Sequence, residues 1–195
     1  MSHAAVLLAG GKSSRMGRDK SALVASGKPL WRHQLATLRA TEPAELFISG
    51  KCDGPYADCG LEVVPDEFPD RGPLGGIVSV LHRCMSKRLL VLAVDMPAMT
   101  AGFLRALLEQ SQRHATGIVP ALLPAGRLEP LAAVYPLAAL RLAEECLRAG
   151  ERRLETFIRA LEAAALMTIL PIEAGQGSLF MNWNRPDDVA GKPME

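Results

Sequence analysis

Leu7-Leu8-Ala9-Gly10-Gly11-Lys12-Ser13-Ser14-Arg15-Met16-Gly17-Arg18-Asp19-Lys20 is the stretch whose reading decides the fold. Just before its glycines, Ala4 to Leu8 is an uncharged apolar run, as expected of a strand buried on both faces of a sheet. Gly10 and Gly11 free the backbone to turn sharply and, lacking a Cβ, let a ligand come close. Lys12, Arg15, Arg18 and Lys20 then set four cations against the single carboxylate of Asp19. Exposed amides and clustered cations at the end of a buried strand suit a polyphosphate. A solvated strand-to-helix loop with ordinary surface charge fits the same composition.

Two familiar phosphate motifs are excluded. Gly11-Lys12-Ser13 looks like the end of a P-loop, but the glycine that motif needs earlier is Val6 here. Gly10 and Gly11 are adjacent, whereas the dinucleotide fingerprint spaces its first two glycines by one residue.

Outward from this stretch, strand and helix patterns alternate to the end of the chain. Trp31, Leu35 and Leu38 mark one helix face, and Leu46 to Ile48 and Leu61 to Val64 read as strands. Ile77, Val80, Leu81 and Cys84 again have helical spacing, and Leu89 to Val94 reads as a central strand. Thr100 is placed to cap a helix whose core face includes Phe103, Leu104, Leu107 and Leu108. Ile118-Val119 and Leu131 to Tyr135 are strand candidates, followed by helices around Leu140 to Leu147 and Leu154 to Leu161. Thr168 to Ile172 and Leu179 to Asn184 read as extended. This order predicts an α/β fold: a doubly wound, mostly parallel sheet with helices on both faces, in one domain over residues 1–195.

With 49% apolar and 22% charged residues in a chain of 195, a full hydrophobic core is expected. A net charge of +1 argues against a general nucleic-acid or membrane binder, so a basic site must be local. Cys52, Cys59, Cys84 and Cys146 lack C-x-x-C spacing and read as free thiols. With no signal-like or membrane-spanning segment in view, a cytoplasmic location is expected.

In open sheets of this kind ligands sit beyond the carboxyl ends of the strands. Asp95 stands there, in Val94-Asp95-Met96-Pro97, with Pro97 holding Met96 extended. A hard oxygen ligand beside a phosphate loop suits Mg²⁺, although a helix cap or a plain loop aspartate is the commoner use. Asp66 ends its strand in the same way, ahead of Arg71-Gly72-Pro73-Leu74-Gly75-Gly76, which is either a plain turn or a place where a flat base meets backbone. Asn182 and Asn184 flank Trp183, so an extended backbone sends both amides to one side and Met181 and Trp183 to the other. Arg152 and Arg153 either grip an anion or form an exposed face. The four histidines show no metal or triad spacing.

Leu8 to Lys20 resembles the nucleotidyltransferase signature L-A-G-G-x-S-x-R-M-G-x-D-K. Together with Asp66, Gly72-Pro73-Leu74-Gly75-Gly76, Val94-Asp95-Met96-Pro97, Ala149-Gly150-Glu151-Arg152-Arg153 and the Asn182/Asn184 segment, it resembles the molybdenum cofactor guanylyltransferase family over nearly the whole chain. The resemblance implies a Rossmann-like nucleotidyltransferase fold and transfer of GMP from GTP to the molybdopterin cofactor, with release of pyrophosphate and use of Mg²⁺. It implies nucleotide contacts at Leu8, Ala9, Gly10, Ser49, Asp66, Gly75 and Asp95, phosphate contacts at Lys20, and Mg²⁺ on Asp95. Ser49 aligns with a family asparagine, and Arg185 and Asp187 depart from the family's usual threonine and glutamate. Arg15, Lys20 and Asp95 are the expected catalytic groups, and Arg153, Asn182 and Asn184 the expected acceptor contacts. Cofactor-supplying or molybdoenzyme-maturation proteins are implied partners. A cytidylyltransferase, a sugar-phosphate nucleotidyltransferase and a nucleotide-binding module without turnover all stay open on the residues alone.

Overall fold

Strand β1 (Ala4–Leu8) occupies the middle of the sheet because none of its side chains needs water. Ala5 and Leu7 face one hydrophobic layer, and Ala4, Val6 and Leu8 face the other. The computed structural model describes residues 2–10, 24–25, 27–68 and 70–183. Arg15, Lys20 and Asn184 lie outside those residues.

A short hairpin of β2 (Val24–Ala25) and β3 (Lys28–Pro29) leads into α1 (Leu30–Arg39), β4 (Glu45–Ser49), β5 (Glu62–Val64) and α2 (Pro73–Leu81). β6 (Arg88–Ala93), α3 (Ala101–His114), β7 (Gly117–Leu122), β8 (Arg127–Leu128) and β9 (Ala132–Pro136) follow. The chain continues through α4 (Leu140–Arg148), α5 (Leu154–Ala163) and β10 (Met167–Ile172). The main sheet has eight strands in the order β10-β7-β9-β6-β1-β4-β5, with β8 paired to β7. β1 runs parallel to β4 and β6, β4 to β5, and β10 to β7. β9 lies antiparallel between β6 and β7, and β8 is antiparallel too.

Leu90 and Leu92 of β6 join the layer of α1 and α3, and Leu89 and Val91 join that of α2, α4 and α5. Fully burying each such side chain contributes about 1.5–3 kcal/mol. Because β9 returns the chain to the amino edge, α4 climbs to the carboxyl edge and α5 descends from it. The loop between those helices therefore stands at the same edge as the ends of β1, β4, β5 and β6.

Thr100 caps α3: its hydroxyl accepts the Phe103 N–H at 3.2 Å. Thr100→Ala should cost about 1 kcal/mol, read as a lower denaturant midpoint at unchanged slope.

Two expectations are corrected. Helix α2 stops at Leu81, so Cys84 is buried beyond the helix rather than on it. Leu179 and Phe180 belong to a 3₁₀ helix over Ala174–Phe180, and only Met181 to Trp183 then run extended. Trp183 is buried at 7% exposure, as expected of its place in the core, while Met181 is 45% exposed. Among the described residues, no helix is long and apolar enough to cross a membrane.

Candidate active site

The turn that leaves β1 is fastened from both neighbouring strands. Ala9 N–H and Gly10 N–H both donate to the Ser49 carbonyl at 2.9 Å, and Val94 N–H donates to the Leu8 carbonyl at 3.1 Å. An added Cβ on Gly10 would lie 3.2 Å from Gly50 Cα. The glycine therefore permits backbone-to-backbone approach across the sheet edge. Ser49 is buried, and its carbonyl holds the turn.

Asp66 follows β5 and accepts the Phe68 N–H at 2.9 Å. Burial pushes its carboxyl above the ordinary value; the Phe68 bond opposes the shift and the Asp70 charge adds to it. Ser79 of α2 holds the neighbouring backbone, accepting from Glu67 N–H and donating to the Gly75 carbonyl, each at 2.9 Å. An added Cβ on Gly75 would meet Asp66 Oδ1 at 2.7 Å, and one on Gly76 would meet Ser49 Oγ at 2.7 Å. The space a Cβ would take at each glycine is filled by these two side chains. The first turn of α2 thus fixes Asp66 and Ser49 against the strand ends.

Asp95 emerges two residues past β6, half-buried, with Oδ1 shielded from solvent. Its carbonyl accepts the Trp183 N–H at 2.8 Å, and the Trp183 ring is buried in the layer of α1 and α3. The C-terminal segment thereby sets exposed Asn182 close to Asp95 along the chain edge. Among the described residues no group of three or more His, Cys, Asp or Glu side chains converges. A divalent cation here would take Asp95 as its side-chain ligand and complete its shell with phosphate oxygens and water. That donor set fits Mg²⁺, which keeps several waters and commonly uses one or two carboxylates.

Arg153 stands elsewhere, at the start of α5 on the layer of α2. Its Nη2 donates to Glu151 Oε2 at 3.0 Å, while Glu151 Oε1 accepts the Arg152 and Arg153 N–H groups at 2.9 Å each. Hydrogen bonding from Arg153 holds the Glu151 carboxyl down at about 2. The same loop touches the Asp66 segment: a Cβ on Gly150 would lie 3.7 Å from Arg71 Nη1. Arg153 and Asn182, expected to act together, therefore stand over opposite faces of the sheet. Sequence reasoning missed Gln34, Ser79 and the Trp183 N–H, whose partners are distant in the chain.

A mostly parallel α/β sheet whose carboxyl edge collects Gly10, Asp66 and Asp95 has its ligand site at that edge, as nucleotide-binding sheets of this kind do. The comparisons narrow this: the model of the "MobA-like NTP transferase domain" matches residues 5–165, and the chain belongs to that family. A protein of Opitutus terrae named "Probable molybdenum cofactor guanylyltransferase" is 36% identical over 188 residues, covering 95% of this chain and 92% of that one. The "Molybdenum cofactor guanylyltransferase" of Rhizobium meliloti is 34% identical over 196 residues, covering 95% and 88%. The crystal structure of molybdopterin-guanine dinucleotide biosynthesis protein A from Archaeoglobus fulgidus superposes with a TM-score of 0.73 at 22% identity, covering 96% and 95%, and so shares the fold.

Proposed function

We propose that this chain is a molybdenum cofactor guanylyltransferase, transferring GMP from GTP to the terminal phosphate of the molybdopterin cofactor. The observation that carries the reading is the name shared by relatives 34% and 36% identical over 95% of the chain. An oxygen of the acceptor phosphate attacks the α-phosphorus of GTP and forms a new P–O bond. The bond from that phosphorus to the bridging oxygen breaks, and pyrophosphate leaves with the electron pair. A phosphate monoester is already largely dianionic near pH 7, its second pKa being about 6, so the protein needs no dedicated base.

The chain's work is then positioning and charge stabilisation. Leu8, Ala9, Gly10, Asp66 and Gly75 border the nucleotide, with Ser49 holding the turn. Arg15 and Lys20 meet phosphate charge, and Asp95 holds Mg²⁺. When bound, Mg²⁺ withdraws charge from the phosphate oxygens. Asn182 meets the acceptor from the Asp95 side and Arg153 from the loop beside Arg71, with Asn184 a further acceptor contact. Arg15→Ala and Lys20→Ala should each lower turnover by roughly one to three orders of magnitude, with Arg18→Ala mild. An initial-rate comparison of the three checks this.

Pyrophosphate release from GTP, CTP and UTP, each with molybdopterin, tests the function. The expected result is release with GTP well above the others. A preference for CTP would make the chain a cytidylyltransferase, and GTP binding without release would make it a binding module.

A further inference from the structure

We infer that Gln34 is a positioning residue for Asp95, an inference that rests on the nucleotidyl-transfer reading above. Gln34 lies on α1 with no exposed surface, in the layer formed by Trp31, Leu35 and Leu38. Its Nε2 donates to the carbonyl of Met96, the residue after Asp95 and 62 positions away in sequence. Its Oε1 is buried and meets no donor among the described residues.

An amide whose oxygen meets no donor among the described residues is a poor choice for a hydrophobic layer, because that oxygen loses its water without recompense from them. An unbranched apolar side chain of the same length would fill the space at no such cost. What the amide alone supplies is the donor, and the donor goes to the Asp95–Met96 turn.

That turn is held from two sides. Trp183 N–H takes the Asp95 carbonyl, and Gln34 takes the Met96 carbonyl, whose peptide continues into the rigid ring of Pro97. With both carbonyls anchored, the Asp95 carboxylate keeps only its own side-chain torsions. Groups that orient a metal ligand in this way commonly govern metal affinity 10–100-fold, a magnitude of about one to two decades.

The test uses the full chain and Mn²⁺ as a spectroscopic stand-in for Mg²⁺. Because GTP itself chelates Mn²⁺, binding of the Mn²⁺–GTP complex to the protein is followed by water-proton relaxation enhancement, without acceptor, for the parent, Gln34→Met and Gln34→Asn. Methionine keeps the volume and removes the donor, and asparagine keeps the amide but is too short to reach. Both should weaken binding of the complex about tenfold or more. GTP affinity measured calorimetrically in EDTA should be unchanged, and circular dichroism should be native. Parental Mn²⁺–GTP affinity in a folded variant overturns the role of Gln34. Loss of the fold in both variants overturns it too, making the bond a structural tie. A parent that takes up no Mn²⁺ with GTP would instead overturn the nucleotidyl-transfer reading.

Discussion

Asp95→Asn should cut pyrophosphate release by about 10²–10³-fold or more and leave the fold intact. Asparagine matches the volume of aspartate but lacks the charge that a hard cation requires. The ties that hold the turn survive the substitution, because Trp183 and Gln34 bind backbone carbonyls and not the carboxylate. Pro97 and Met96 stay buried in either variant, so folding has no reason to fail. Circular dichroism and a denaturant melt establish the fold, and a pyrophosphate assay reads the chemistry. Near-parental turnover in a folded variant would remove Asp95 from the reaction, and with it the expected Mg²⁺ site.

How far the sequence alone carries can be judged strand by strand. β1, β6 and the faces of α1 and α3 were legible because burial on two faces writes an unbroken apolar run and burial on one writes a helical period. The direction of β9 was not legible, since an apolar alternation is the same read up or down a sheet. β8 has only two residues, Arg127 and Leu128, too few to carry a period. The 3₁₀ stretch Ala174–Phe180 holds its buried Phe180 against Phe103, ring centroids 5.3 Å apart, a tertiary contact that local pattern cannot express.

The site divides in the same way. Asp66 and Asp95 stood out because each ends an apolar run with a carboxylate that water or a ligand must satisfy, and Gly10 because it frees the backbone at the end of another. Gln34 looked like an ordinary polar position on a helix, and Ser79 like a small residue in an apolar one. Their meaning comes from partners distant in sequence, Met96 for one and Glu67 for the other. Gly75 and Gly76 were legible as glycines that matter, but what stands where their Cβ would be, Asp66 and Ser49, was not, because a missing Cβ leaves no mark of what fills its place.

The second large effect is expected at Gly75. Gly75→Ala should weaken GTP binding by about tenfold or more and lower stability by about 1–3 kcal/mol. The new methyl would meet Asp66 Oδ1 at 2.7 Å and the Phe68 carbonyl at 2.9 Å. Neither can withdraw alone, since Asp66 is tied to Phe68 N–H and the Phe68 carbonyl accepts Arg71 N–H at 3.2 Å. The helix cannot retreat easily either, with Ser79 bonded to the Gly75 carbonyl and Gly76 packed on Ser49. The whole Asp66–Arg71 turn must move, which outweighs the roughly 0.5–1 kcal/mol that alanine gains over glycine within a helix. Gly102→Ala is the control: there the nearest atom, Thr100 Oγ1, stands 3.9 Å from the new Cβ, so stability should hold or rise. Calorimetric GTP titration beside denaturant melts separates the outcomes. Lost stability with parental GTP affinity would take Asp66 out of the nucleotide site. Parental values of both would show that the turn yields freely and that the glycine is dispensable.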